Sequence, residues 1–436
     1  MGAVLKNIKK AGKKLIQKLI ITIELYNVNG LANHAAAGAY GFLLSLAPMV
    51  LIIVFSILYF FRPSQQEISA LIGNISFLSE LIDERQLTQS IISISTHNIS
   101  GIISIISILW ATRILALSIR RGLIVIFPAK KKRNPIMNTV IVIAIDAVIL
   151  LCILMAIVSS RTAMYFYNLL DFIPMLSQME RFVPIIILGF VSFLAYLLIP
   201  ANSPRKLSAL QGAVLCSIAY GVTAMVLTFF MDKTRINFLY GTLGNMIFLL
   251  INVYFFFSFF FLGAEFAFVT DSFDALFFSK LRHTRNKLKQ KNKAKKSISD
   301  LQVNVSLKLF SAEGNLEKYL CSYKKNEIIV TKGDTGEEIF YLLEGEVEIL
   351  ISSAQQDSPA NVLYADSFFG EMGYLLSEER SATIRAKTDV SVLMLPPSLF
   401  ETILKHDKSL DRDIIEHMSR RIKNTNEHLR NLIEDL

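Results

Sequence analysis

The stretch FLLINVYFFFSFFFLGAEF, Phe248–Phe266, holds one charged residue, Glu265, in nineteen. A helix crossing the hydrocarbon of a bilayer needs roughly 20 apolar residues, and water-soluble domains do not carry such a run. The surrounding chain has 436 residues, 53% of them hydrophobic, and a mean hydropathy of +0.46. That excess over ordinary soluble composition is concentrated in Ala35–Val269, whereas the residues after Lys280 have a normal soluble balance. The chain therefore divides into a membrane part and a soluble third.

Six segments are long and apolar enough to be spans: Ala35–Phe61, Ile99–Ile119, Ile136–Ser159, Phe182–Ile199, Leu207–Met231 and Leu243–Val269. Pro48 is expected to bend the first, because a proline inside a helix removes one backbone hydrogen bond. The small residues Ala35, Ala36, Ala37, Gly38, Ala39 and Gly41 suit close helix–helix approach.

The net charge of +9 is clustered at Lys6–Lys18, Arg120–Arg133 and Lys280–Lys296, each beside an apolar stretch. That placement reads as topology-setting charge rather than a nucleic-acid surface. With the amino-terminal side inside, the basic clusters fall on inner segments, so both termini are expected in the cytoplasm. Val4–Tyr26 interleaves Lys with Leu, Ile and Val at helical spacing; it reads as an amphipathic helix in the inner interface, with a plain cytoplasmic leader as the alternative. Cys152, Cys216 and Cys321 have no metal-site or disulfide spacing. Within the spans the ionisable groups are Arg113, Asp146 and Glu265, of which Asp146 is deepest.

Four segments resemble the YihY/BrkB family of bacterial inner-membrane proteins. They are AAAGAYGFLLSLAPMV (Ala35–Val50), WATRILALSIRRGL (Trp110–Leu123), IPANSPRKLSALQGAVLCSIAYG (Ile199–Gly221) and FLYGTLGNMIFLLINVYFFFSFFFLGAEFAF (Phe238–Phe268). The resemblance covers Lys13–Phe268 in the family's order. One departure is Asn252-Val253-Tyr254, where the family usually has Trp-Leu-Tyr. The resemblance implies a six-span integral inner-membrane protein without a defined biochemical activity. Older labels of the family are ribonuclease BN and virulence factor. The residues argue against the nuclease: His34, His97, His283, His406, His417 and His428 have no ligand spacing, and no carboxylate cluster suits two metals. The chain is expected to hold no metal and not to be an enzyme.

After the basic run Lys280–Lys296, read as a solvated helix or linker, SLKLFSAEGNLEKYLCSY (Ser306–Tyr323) has helical apolar spacing. NEIIVTKGDTGEEIFYLLEGEVEILISS (Asn326–Ser353) instead has short branched and aromatic runs, with turns at Gly333-Asp334, Gly336 and Gly345. Such strands suggest a small barrel or jelly roll. NVLYADSFFG (Asn361–Gly370) and SATIRAKTDVSVLMLPP (Ser381–Pro397) add strands, and the residues from Ser398 return to helical spacing.

This third resembles the cyclic nucleotide-binding domain over Phe310–Leu432. FGEMGYLLSEERSATIRA, Phe369–Ala386, is similar to that family's phosphate-binding cassette. The resemblance implies that Glu371 accepts from the ribose 2′-hydroxyl and Arg380 pairs with the cyclic phosphate. Gly370, Met372, Ser381 and Ala382 are implied to belong to the same ligand site. The chemistry agrees: a guanidinium matches the two exocyclic oxygens of a phosphodiester through charge-assisted bonds. The resemblance further implies cAMP rather than cGMP as the ligand, because the family's cGMP binders tend to carry Thr where this chain has Ser381. Tyr374 stands where the family usually has Leu, Glu379 where Pro is common, and Asn326 where a Gly is usual.

The expected fold is an all-α six-helix transmembrane bundle followed by an α+β cyclic nucleotide-binding domain, a β jelly-roll barrel with flanking helices. The expected division is an interfacial helix over 1–30, a membrane domain over 31–275, a basic linker over 276–305 and the nucleotide domain over 306–436. Ile415, Met418, Ile422, Leu429, Leu432 and Leu436 form a heptad seam, read as a homodimer contact, a lid over the pocket, or ordinary packing on the barrel. A helix-turn-helix after the barrel is not expected from these residues, and no kinase, voltage-sensor or potassium-filter pattern is seen in them. The leading expectation is a transporter-like membrane protein regulated by a cyclic nucleotide. The alternatives are a channel of non-standard type and a membrane scaffold with a degenerate nucleotide domain.

Overall fold

The computed structural model describes residues 2–44, 113, 115–128, 183–233, 236–294, 316–352, 357–407, 410, 412–416, 418, 419 and 423. The chain divides into two compact units, Leu19–Asp271 and Met1–Lys18 with Ser272–Leu436.

The described part of the first unit is helical. It holds the end of α1 (Gly2–Val28), α2 (31–44), α3 (115–126), α4 (Val183–Leu198), α5 (Lys206–Lys233) and α6 (Ile236–Asp271). The last three are helices that overlap the fourth to sixth expected spans, α6 beginning at Ile236, ahead of the expected Leu243. Among the described residues two helices are long and apolar enough to cross a membrane, Lys206–Leu227 and Ile247–Asp271, and Ile185–Leu198 is a shorter apolar helix. The first two expected spans are described only in part, and Ile136–Ser159, with Asp146, lies outside the described residues.

Local sequence explains the breaks. Pro184 sits in the first turn of α4, where a missing N–H costs nothing, and Pro200 follows its end. Asp271, at the end of α6, accepts from the Arg205 backbone N–H at 3.3 Å and pairs with the Arg205 side chain at 3.4 Å. A carboxylate is thereby placed at the amino terminus of α5, where the helix dipole favours it.

Small residues hold these helices close. Ala35 and Ala39 are buried, and a Cβ on Gly38 would lie 2.9 Å from the Phe257 ring. A Cβ on Gly212 would collide with the Gly263 carbonyl oxygen, and one on Gly263 would lie 2.6 Å from the Gly212 carbonyl oxygen. The contact therefore requires glycine on both α5 and α6. Tyr196 donates to the Phe260 carbonyl at 2.7 Å across the same core. The departure Asn252 accepts from Tyr220 at 2.8 Å, joining α5 to α6. Glu265 is fully buried, with the Asn29 amide donating to both its oxygens at 3.4 and 3.3 Å. Arg113 is exposed.

Among its described residues the second unit contains α7 (Phe273–Ala294), a 3-10 turn at Glu317–Tyr319 and eight strands. These are β1 (Leu320–Tyr323), β2 (Ile328–Val330), β3 (Ile339–Glu344), β4 (Glu346–Ser352), β5 (Asp357–Tyr364), β6 (Phe368–Phe369), β7 (Thr383–Ala386) and β8 (Val390–Leu395). They form two antiparallel four-stranded sheets, ordered β1-β8-β3-β6 and β2-β7-β4-β5. Between them Val330, Phe340, Leu342, Val347, Phe369, Ile384 and Val392 make the core. The short helix α8 (Glu371–Leu376) and α9 (Pro397–His406) also belong to the unit.

The turns are built as their residues demand. Gly333 and Gly345 have φ +86° and +91°. Asn326, in place of the usual glycine, has φ +70°, a conformation asparagine tolerates better than most side chains.

Two expectations are corrected. Leu320–Tyr323 is a strand rather than part of a helix, because Leu320 and Tyr323 pair with Leu393 and Val390 of β8. The basic run beginning at Lys280 is helical but not solvated over its first part. Phe277, Phe278, Leu281 and Arg282 are buried. Phe278 stands edge-on to Tyr341, with ring centroids 5.0 Å apart, and also contacts Phe368. This explains why Ile339–Leu343 is buried at every position: the barrel interior takes one face of β3 and helix the other.

In α1, Leu15 and Ile16 are exposed beside Lys13 and Lys14, while Lys14 and Lys18 lie over the Phe273 ring at 5.2 and 5.7 Å. Burial, then the neighbouring Lys14 charge, holds Lys18 below the ordinary lysine range.

Candidate functional site

Strand β6 is two phenylalanines. Phe369 lies parallel to Phe340 with centroids 5.1 Å apart, which forms an apolar floor. The chain leaves the strand through Gly370 at φ +77° and enters α8, which ends at Ser377, φ +55°. The Glu378 N–H then returns to the Gly373 carbonyl at 3.1 Å. Arg380 is fixed next: its N–H donates to the Asp334 carbonyl and its own carbonyl accepts from the Gly333 N–H, both at 2.9 Å. The loop from Phe369 to Ala386 is thereby stitched to the turn before β3.

This backbone turns the Arg380 side chain inward. It is 5% exposed; its Nη1 donates to the Gly370 carbonyl at 2.6 Å and its Nη2 to the Glu338 carbonyl at 2.8 Å. The Glu338 carboxylate is 3.6 Å from Nη2, and the Phe340 ring centroid lies 5.9 Å from the guanidinium carbon. Three glycines make room. A Cβ on Gly370, Gly336 or Gly373 would come within 2.8, 3.2 or 3.5 Å of an Arg380 Nη atom. Burial pulls the guanidinium below its usual range, opposed by the charges of Glu338, Asp334 and Glu371. A guanidinium stays protonated through such a shift.

Glu371, the first residue of α8, is buried at 3% exposure. Gly370, Glu371 and Arg380 are thus brought together. Met372 is exposed at the surface of α8, as are Leu375 and Leu376. Ser381 is exposed and Ala382 half-buried at the start of β7. A buried cation beside a buried carboxylate can hold a ligand carrying both an anionic group and a hydroxyl. Among the described residues no group of three or more His, Cys, Asp or Glu is placed to hold a metal ion.

Sequence reasoning missed the contacts that surround this loop. The Tyr374 hydroxyl donates to Glu401 at 3.1 Å, and its ring stands perpendicular to Phe400, linking α8 to α9. Arg285 of α7 donates to Asp366 at 2.7 Å and to the Leu343 carbonyl at 2.7 Å. Arg282 pairs with Asp413 at 2.7 Å and with Asp407 at 3.3 Å, and Ser279 donates to Asp407 at 2.9 Å. The signal for these was the unbroken apolar run Ile339–Leu343, too continuous for a strand with one wet face.

A family model described as virulence factor BrkB matches residues 22–284, and one described as cyclic nucleotide-binding domain matches residues 320–407. Among curated proteins, the chain is 37% identical over 89 residues to a cyclic nucleotide-gated potassium channel of Rhizobium etli, covering 18% of this chain and 24% of that one. It is 26% identical over 133 residues to the cAMP-activated global transcriptional regulator CRP of Salmonella typhimurium, covering 30% and 61%. The match therefore spans less than two thirds of either relative's length. Among solved structures, the catabolite activator protein of Thermus thermophilus is similar at 22% identity and a TM-score of 0.25, over 27% of this chain and 56% of that one.

Proposed function

Because the chain belongs to the virulence factor BrkB family and carries a cyclic nucleotide-binding domain, we propose that it is an integral bacterial inner-membrane protein whose membrane part is regulated by a cyclic nucleotide. The membrane part acts as a transporter, and the chain works by binding rather than as an enzyme. The ligand is cAMP in preference to cGMP, a choice supported by Ser381. Arg380 clasps the cyclic phosphate, Glu371 accepts from the ribose hydroxyl, and Gly370, Met372, Ser381 and Ala382 line the same site. Both termini are cytoplasmic.

The observation that carries this reading is the inward Arg380, held between the Gly370 and Glu338 carbonyls beside buried Glu371. The lipid bilayer as partner is supported by α5, where Leu207, Leu210, Val214, Ile218, Val222 and Val226 are exposed at steps of three and four residues. An apolar stripe of that length is costly in water and at home against acyl chains. Regulation is supported by α7: it follows α6 after Ser272 alone, and its Arg285 and Phe278 touch Asp366 and Phe368 just ahead of Gly370. A ligand shifts the membrane part only by its differential affinity for two states, typically ~1–3 kcal/mol. The test has two steps. Purified full-length chain in detergent should bind cAMP saturably, and Arg380→Ala should abolish it. Proteoliposomes should then show a solute flux that cAMP changes; a flux indifferent to cAMP across a broad solute panel would remove the regulatory claim.

A further inference from the structure

Of the groups around Arg380, the Glu338 side chain has no place in the nucleotide reading, and the inference below rests on that reading. Glu338 contributes twice. Its carbonyl oxygen accepts from Nη2 at 2.8 Å, and its carboxylate Oε2 lies 3.6 Å from the same nitrogen. The two have different consequences. The carbonyl orients the guanidinium whatever the side chain is. The carboxylate is a second anion on the cation that a phosphate would use.

The surroundings give the carboxylate both a seat and an exit. A Cβ on Gly336 would lie 3.0 Å from Glu338 Oε2 and 3.2 Å from Arg380 Nη2, so the pair meets over a position with no side chain. The Glu338 side chain is nevertheless 46% exposed, against 4% for Arg380. It can swing into water, whereas Arg380 cannot follow. The local charge is also unbalanced. Glu338, Asp334 and Glu371 all act on the one guanidinium. Asp334 is engaged at its own turn, accepting from the Thr331 N–H at 3.3 Å, and Glu371 is buried in the first turn of α8. Glu338 is the carboxylate within ion-pair distance that has a route away.

We propose that the Glu338 carboxylate is a built-in competitor for Arg380, which a cyclic phosphate must displace and which speeds its release. Like charges forced together cost affinity, and a short-range anion on the binding cation acts mainly on dissociation. The residue thus sets the concentration range over which the site fills.

The experiment uses full-length chain in detergent, titrated with a fluorescent cAMP analogue, as wild type, Glu338→Gln and Glu337→Gln. Glu337 is an exposed neighbour with the same charge, so its variant controls for overall charge. Glutamine keeps the backbone carbonyl and side-chain length while removing the charge. The expected result is about threefold tighter binding for Glu338→Gln through slower dissociation, the scale of a partly exposed ion pair. That gain should shrink in high salt, and Glu337→Gln should match wild type. Equal or weaker binding by Glu338→Gln overturns the inference, as does equal tightening by both variants, while wild-type binding keeps the nucleotide reading intact. No saturable binding by any of the three overturns the nucleotide reading and the competitor role with it.

Discussion

Arg285 Nε donates to Asp366 Oδ1 at 2.7 Å, and the same oxygen accepts from the Tyr341 hydroxyl at 2.8 Å. Asp366 has φ +73°, a strained conformation for a non-glycine residue, in the turn that leads through Ser367 to the Phe368-Phe369-Gly370 approach to Arg380. Helix α7, which follows the apolar helix α6 in the chain, is therefore fastened to the loop that precedes the candidate ligand site. Arg285→Gln should alter cAMP affinity far less than loss of the Arg380 guanidinium does, within the coupling free energy, but remove the cAMP-dependent change in amide exchange along α7. Retention of that change would place the coupling elsewhere.

Arg380→Ala should lower cAMP affinity by at least about 100-fold, since a charge-assisted hydrogen bond contributes roughly 1.5–3 kcal/mol and the phosphate would lose more than one. Gly370→Ala should weaken binding as well, because its Cβ would press to 2.8 Å from Nη1 at a φ of +77°. Equilibrium titration of both variants checks this, and a binding-competent Arg380→Ala chain would contradict the assignment.

Arg282 and Asp407 are a buried pair, with side chains 4% and 1% exposed. Arg282→Ala should destabilise the second unit by about 3 kcal/mol, because it strands a buried carboxylate. Replacing both partners by apolar residues of similar volume should cost much less. Denaturant melts followed by amide exchange in β8 would separate the two cases.

His406, at the end of α9, is held below the ordinary histidine range by burial and then by the Lys405 charge. A depressed histidine pKa means the unfolded chain binds the proton more readily. Stability from this group is present above the ordinary value near 6.5 and is lost as pH falls through it towards the lowered folded value. Exchange protection of α9 should therefore fall between pH 7.5 and 5.5, about a unit either side of the ordinary histidine pKa. His406→Gln should flatten that part of the profile.

Much of this was written in local patterns. The later apolar helices were legible from apolar length, the barrel from Gly turns between branched runs, and the placement of Arg380 beside Gly370 from one cassette. What escaped depends on tertiary partners. Leu320–Tyr323 has helical spacing, yet β8 takes it as a strand because pairing outweighs propensity. The arginines of α7 read as solvated because their partners, Asp366, Asp407 and Asp413, lie far along the chain. Only the five consecutive buried residues of β3, Ile339–Leu343, hinted that something covered the outer face.

The single residue between α6 and α7 has a mechanical corollary. Ser272 is the one residue between α6 and α7, and it contributes two soft dihedrals. One inserted alanine would turn the following helix by about 100° and advance it by about 1.5 Å. A ladder of one to four insertions at Ser272 would then read transmission as a phase, failing and recovering with the helical repeat if the joint works as a stiff shaft, and decaying smoothly if it is a tether.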